Sequence, residues 1–375
     1  CFVIAEIGHN HQGKVSLAKE MIKAAADSGA SAVKLQKRNN KSLFTQDYYN
    51  QVYNSENSFG ATYGEHRENL EFDRDQYIEL QKFSDDLGVV FFATAFDFES
   101  ADFLAELHVP AFKLASGDLK NIPLIRYVAA IGKPVVLSTG GGTLEDVDRA
   151  VAELDSSGTP YCIMQCTAGY PPAWDELNLR VIREFRSRYE NPVIGFSSHD
   201  NGIAMASAGY ALGARMIEKH FTTNRTLKGT DHAFSLEPQG LRKMVRDLDR
   251  LHIAMGDGQK RQFESEKEPL RKMGKKLVIS RAMKTGEVLT PKGTKLTPAI
   301  IGVAAAGKQD FLVTAGVAGI TAGAMSMAVG EYISVRSQND VEESDRLLEI
   351  EHLAADPEGE LQELQHIYID RGLTP

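Results

Sequence analysis

Residues 2–36 read FVIAEIGHNHQGKVSLAKEMIKAAADSGASAVKLQ. The stretch opens and closes on short apolar, β-branched runs, FVIAEI (2–7) and AVKLQ (32–36). Between them, residues 15–28 place apolar side chains at helical spacing. Strand, helix, strand is a βαβ unit, which pairs its strands in parallel. The same alternation continues through VVFFATA (89–95), AFKLAS (111–116), VVLS (135–138), YCIMQC (161–166), VIGFS (193–197) and RMIEKHF (215–221). Helical patterns fall at 74–87, 98–107, 143–154, 177–187, 203–212 and 237–255. Eight strands alternating with helices over residues 1–258 predict an α/β fold, a (β/α)8 TIM barrel. An open doubly wound sheet is the alternative. No GxGxxG follows the first strand, which argues against a dinucleotide site. One connection, 37–73, is long and rich in Asn, Tyr, Ser and Gly. It follows the second strand, on the face where barrel enzymes keep their chemistry.

Composition bounds the function. Hydrophobic residues make up 42% and charged residues 25% of the 375, an ordinary globular balance. The net charge is −9, which argues against a nucleic-acid partner. All of that charge lies beyond residue 339, where eleven acids face only Arg346 and Arg371. Three cysteines make no disulfide framework. Cys162 and Cys166 are four residues apart on one strand, roughly 13 Å, too far to bridge. The chain opens directly on a strand-like run without a signal-peptide pattern, so a reducing cytoplasm is the expected home.

In a barrel the C-terminal ends of the strands converge. Here they deliver, in order, Glu6; Lys34 and Gln36; Thr94; Lys113 and Ser116; Ser138; Thr167 and Tyr170; Ser197 and His199; Glu218 and His220. Any one of these alone reads as a turn or cap residue. Eight strands agreeing read as a site. Lys34 and Lys113, with the hydroxyls of Thr94, Ser116, Ser138 and Ser197, form a donor-rich pocket suited to phosphate or carboxylate. His199 and His220 come from adjacent strands and suit an open divalent-metal site. Glu6 is placed to move a proton. His9 and His11 are candidates for extra ligands, loop shaping or substrate contact.

The runs CFVIAEIGHNHQG, VKLQK, TYGEHRENLEF, FKLASGD, LSTGG, QCTAGYP, GFSSH, EKHFT, KGTDH and SLEP resemble the sialic acid synthase family over about residues 1–280. The resemblance implies a metal-dependent condensation of phosphoenolpyruvate with an N-acetylmannosamine-type aldehyde, or its 6-phosphate. It implies metal ligation by His199 and His220, with Mn2+ expected and Mg2+ or Co2+ as alternatives. It assigns phosphoenolpyruvate binding to Lys34, Thr94, Lys113, Ser116, Ser138 and Ser197. It places Gln36, Tyr170 and Asp231 at the sugar and makes Glu6 the acid/base residue. A homodimer is the implied assembly. Related nonulosonic acid synthases, of the legionaminic or pseudaminic type, are the alternative within the family. Ala168 departs from it, standing where a polar Asn or Ser is common.

The C-terminal third departs further. Residues 259–300 read as a linker and the opening of an antifreeze-like β module, KKLVISRAMKTGEVLTPKG, that then stops. Residues 311–330 run twenty positions without a charge and carry Gly319 and Gly323 in a GxxxG pattern. The readings are a buried Ala/Gly-rich helix or a membrane contact. Residues 301–375 resemble part of the vacuolar iron transporter family. Glu349, Glu360 and Glu363 fit its metal-binding spacing, and His352 stands where a glutamate is usual. The second reading of the whole chain is thus a membrane-associated, iron-binding protein with an inactive barrel.

Overall fold

The computed structural model describes residues 1–279, 282, 284 and 294–298. It falls into two compact units, the first ending at Gln259 and the second beginning at Lys260. The expectations for the apolar run 311–330, for Glu349, His352, Glu360 and Glu363, and for most of the small β module lie outside the described residues.

The first unit is a closed barrel of eight parallel strands. They are β1 (Phe2–Gly8), β2 (Ala32–Lys37), β3 (Val90–Ala95), β4 (Phe112–Leu114), β5 (Val135–Ser138), β6 (Tyr161–Cys166), β7 (Val193–Ser198) and β8 (Met216–His220). Each pairs with the next, and β1 closes on β8 with Glu6 opposite His220.

Strand alternation sorts every side chain to one of two faces. Val3, Ala5 and Ile7 of β1, Val33 and Leu35 of β2, and Phe91 and Ala93 of β3 pack outward against the helices in one large core. The opposite parity points into the barrel. Its floor is apolar: Ile4, Ala32 and Phe92 form one cluster, and Val136, Cys162 and Met164 another. Gly195 of β7 keeps that floor open. A Cβ there would lie 3.0 Å from Met164 and 3.1 Å from the Cys162 sulfur.

Two residues further along each strand, the same inward parity carries Glu6, Lys34, Thr94, Ser138, Cys166 and Ser197. The change from apolar to polar at fixed parity is what creates a site at one end of the barrel.

The helices answer the sequence with three differences. Ile122–Ala130, after β4, is a helix whose run IPLIRYVAA is apolar nearly all round, so its periodicity is blurred; Asn121 caps it by accepting from the Leu124 amide. The helix expected at 177–187 starts at Val181, because Asp175–Leu177 form a 3-10 turn and Asn178 takes the left-handed conformation. The strand expected at 111–116 is cut to three residues, since Ser116–Asp118 turn away.

The long connection is structured. It holds the short helices Asn40–Leu43, Gln46–Tyr49 and Tyr63–Glu68. Thr62 and Glu65 close a capping box on the last. Tyr63 packs against Tyr48 and Tyr53, with ring centroids 4.7 and 5.4 Å away.

In the second unit, Lys275–Ile279 and Thr294–Pro298 pair as an antiparallel two-stranded sheet. Among the described residues no helix is long and apolar enough to cross a membrane.

Candidate active site

A cavity of about 670 Å³ opens at the C-terminal end of the barrel. The twelve residues that the family resemblance gives a role line it: Glu6, Lys34, Gln36, Thr94, Lys113, Ser116, Ser138, Tyr170, Ser197, His199, His220 and Asp231; Thr167, also noted at a strand end, does not.

Lys34 and Lys113 stand at its base, each 2% exposed. A buried ammonium needs partners. Lys34 donates to Thr94 Oγ1 at 2.9 Å and lies 2.6 Å from Glu6 Oε2. Lys113 donates to Ser138 Oγ at 2.5 Å. Both ammonium groups also reach Glu218 Oε1, at 3.6 Å from Lys34 and 3.5 Å from Lys113. Ser197 donates to the same oxygen at 3.4 Å. Ser116 stands slightly apart and accepts from the Gly140 amide at 3.0 Å. Ala168 lines the cavity beside it, offering no side-chain donor.

The two carboxylates share Lys34 yet are driven apart in acidity. Burial pushes the Glu6 carboxyl up; Lys34 opposes the rise and Glu218 adds to it. Burial acts on Glu218 as well, but Lys113 and Lys34 together outweigh it and hold that carboxyl down at about 2. Such divergence marks an acid/base group beside a permanent anion. Gln36 fixes the first of these, donating from Nε2 to Glu6 Oε1 at 2.7 Å.

The imidazoles of His199 and His220 face each other, their ring centroids 5.3 Å apart. His199 donates from Nδ1 to the Thr167 carbonyl at 2.9 Å, leaving its Nε2 lone pair free. The Thr167 hydroxyl is turned away, onto the Glu176 carbonyl. Burial lowers His199 to about 3, helped by His220. Burial likewise lowers His220 to about 4, against the pull of Asp231. Both are therefore neutral, the form that binds metals. His220 Nδ1 is buried with no hydrogen-bond partner, and Asp231 Oδ2 is 3.8 Å from it. Tyr170 stacks on His199 with centroids 4.0 Å apart. Among the described residues no three His, Cys, Asp or Glu side chains gather to cage an ion by themselves. Two imidazoles make an open site that keeps positions for substrate and water.

Beneath the histidines, Lys219 points to the outer face. It lies 2.9 Å from Asp200 Oδ1 and donates to the Asp200 carbonyl, while Ser198 also bonds that carboxylate. This buried clamp ties the end of β7 to β8, and so sets His199 against His220.

Three further cavity residues were not in the sequence-based set. Glu218 is visible at its strand end, but its role depends on two lysines distant in sequence. Arg38 shares the inward parity of Lys34 and Gln36, so extending the period-two reading by one step finds it. Arg67 lies on the six-residue helix Tyr63–Glu68, too short a run to show a periodic signal. His9 lines the cavity; His11 does not, and stacks instead on Phe72 at 4.1 Å. Cys162 and Cys166 are buried free thiols.

Residues 21–260 match the NeuB family, and residues 294–375 match the VIT family. The N-acetylneuraminate-9-phosphate synthase of Homo sapiens is 39% identical over 290 residues, 77% of this chain and 81% of that one. The synthase of the same name from Drosophila melanogaster is 43% identical over 254 residues, 68% of each chain. The crystal structure of N-acetylneuraminic acid synthetase from Leptospira borgpetersenii superposes with a TM-score of 0.63 at 34% identity, covering 72% of this chain and 90% of that one. Barrel, cavity and relatives agree: this chain belongs to the NeuB family.

Proposed function

We propose that the barrel is a sialic acid synthase. It condenses phosphoenolpyruvate with an open-chain N-acetylmannosamine-type aldehyde, releasing phosphate and leaving N-acetylneuraminate or its 9-phosphate. The observation that carries this reading is the pair of buried lysines, each tied to a hydroxyl, beside two neutral facing imidazoles in one cavity.

The lysines hold the phosphate and carboxylate of phosphoenolpyruvate through charge-assisted bonds, with Thr94, Ser116, Ser138 and Ser197 completing the seat. His199 and His220 would hold a divalent ion, Mn2+ by expectation. The orphaned His220 Nδ1 and the free Nε2 of His199 fit that role. Bound there, the ion would supply Lewis-acid polarisation of the aldehyde oxygen.

Tyr170, Gln36 and Asp231 orient the sugar so that its carbonyl carbon meets C3 of phosphoenolpyruvate. A new C–C bond forms there, and positive character appears at C2. Glu218, held ionised between the lysines, stabilises that charge electrostatically. Glu6 takes a proton from the water that adds at C2, its raised pKa matching the task. It returns that proton to the phosphate oxygen as the C2–O bond to phosphate breaks; the C2 hydroxyl gives up its own proton, which ends on the former aldehyde oxygen, and the 2-keto acid remains. The preorganised lysines stabilise the departing phosphate without moving.

The buried free thiols of Cys162 and Cys166 support a reducing, cytoplasmic setting. The assembly we propose is a homodimer, by the family resemblance.

Phosphate release from phosphoenolpyruvate, followed with N-acetylmannosamine-type sugars and product mass, tests the reading. Release that requires both sugar and divalent metal is expected. No release with any such hexosamine, from a folded and metal-loaded chain, would overturn it.

A further inference from the structure

Lys34 and Gln36 of β2, and Arg38 just beyond it, share one parity and converge on the Glu6 carboxylate. Lys34 lies 2.6 Å from Glu6 Oε2, and Gln36 donates from Nε2 to Glu6 Oε1 at 2.7 Å. Arg38 bonds to the amide rather than to the acid: its Nη2 donates to Gln36 Oε1 at 2.8 Å. Arg38 takes no part in the steps above, yet it is buried and held from several sides. Its guanidinium lies 3.6 Å from the centroid of Phe96, its Nη1 is 3.1 Å from His9 Nε2, and its backbone amide donates to Glu71 Oε2 at 3.2 Å.

The two ends of a glutamine amide have nearly the same shape, so neighbours decide which way it points. A guanidinium carries donors and no acceptor. Gln36 can therefore offer Arg38 only its oxygen, which turns Nε2 toward Glu6. The guanidinium also polarises the amide it binds, and that strengthens the donor at the other end. Without Arg38 the amide is free to flip. A carbonyl oxygen would then stand against the carboxylate, two buried acceptors face to face, and Glu6 would lose its second point of attachment. The backbone protects the same bond. Gly8 has φ +54°, at the point where the β1–β2 register shifts, and a Cβ there would lie 3.1 Å from Gln36 Nε2 and 3.2 Å from Glu6 Oε1. Only glycine combines that conformation with that space.

We propose that Arg38 is a positioning residue of the condensation: through the Gln36 amide it fixes the plane of the Glu6 carboxylate, so that this group meets the water that adds at C2. The proposal rests on the synthase reading, in which Glu6 moves that water's proton. Arg38 touches no reacting atom in this scheme. It occupies the oxygen of Gln36, and Glu6 takes one of the two amide hydrogens. One N–H is left, so Gln36 meets the sugar as a donor, toward a hydroxyl or acyl oxygen.

The test is a double-mutant cycle on kcat, read by steady-state phosphate release from phosphoenolpyruvate with Mn2+ and an N-acetylmannosamine-type sugar. It compares the intact chain, R38M, Q36M and the double variant. Calorimetric titration with phosphoenolpyruvate counts folded sites, and kcat is expressed per site. R38M should lower kcat by at least about fivefold, with the Kd for phosphoenolpyruvate within about threefold of the intact chain. In the Q36M background, where no amide remains to be oriented, the same change should cost less than half that factor. A smaller first loss, a second loss at least half the first, or a parallel fall in phosphoenolpyruvate affinity overturns the proposal and leaves the synthase reading standing. Absence of turnover by the intact chain fells the synthase reading, and the proposal with it. Should R38M bind no phosphoenolpyruvate, R38Q, whose shorter side chain keeps a polar head short of Gln36, takes its place under the same criteria.

Discussion

The Lys34 ammonium lies 2.6 Å from Glu6 Oε2 and comes from the neighbouring strand, its Cα directly opposite in register. The residue that would carry substrate charge therefore also tunes the residue that would move the proton. Glu6→Gln keeps the shape and loses the proton acceptor. We expect kcat to fall by about 10²–10⁴, with the KM for phosphoenolpyruvate changed far less. Steady-state phosphate release measures both. A kcat within threefold of the parent would remove Glu6 from proton transfer.

Lys113→Met separates binding from stability. It leaves Glu218 buried with Lys34 as its remaining ammonium partner, at 3.6 Å. Breaking a buried pair costs about 3–5 kcal/mol, so the melting temperature should drop. Adding Glu218→Gln should return much of that loss, while phosphoenolpyruvate binding stays weak. Recovery of tight binding in the double variant would contradict the seat assigned to Lys113.

Metal affinity should be nearly flat with pH. The sign follows from burial: imidazoles lowered to about 3 and about 4 stay unprotonated until the pH falls through those values, so protons compete with metal only there. Two ordinary imidazoles would each lose about 30-fold by pH 5. Calorimetry with Mn2+ between pH 7.5 and 5.5 should show less than about a threefold loss. Chelation should abolish turnover, and Mn2+ should restore it. A steep fall through pH 6.5 would mean the rings titrate normally.

Lys219 touches no substrate in this scheme, yet Lys219→Met should weaken metal binding. It strands the Asp200 carboxylate, which is 2% exposed, and frees β7 from β8. The expected stability loss is again about 3–5 kcal/mol. Replacing Asp200 by Leu in the same chain should recover stability more than metal affinity. Equal recovery of both would show that the clamp is structural only.

The barrel was legible because its strands are short, apolar and bounded by helical patterns, and because period-two parity is strict. The same parity made Glu6, Lys34, Thr94, Lys113 and Ser138 readable as one set. What escaped has a physical reason in each case. Glu218 stands in plain view at its strand end, but nothing local in RMIEKHF says that two lysines 105 and 184 residues away converge on it. Arg67 sits where backbone conformation is set by a capping box and packed aromatic rings rather than by periodicity. The helix Ile122–Ala130 lacks a polar face to betray its period. The shortening of β4 depends on a 3-10 turn that AFKLAS does not announce.

Because β1 pairs with β8, Glu6 finds His220 across a span of 214 residues. A nascent chain emerging from the ribosome can pair its first strand with the second early, but the other edge of the first strand stays open until the eighth is made. Any fragment ending before that point would lack the strand that sets His220 in register with Glu6. Ring closure and assembly of the cavity are thus one event in this fold, because the last strand to be made supplies both the closing edge and His220.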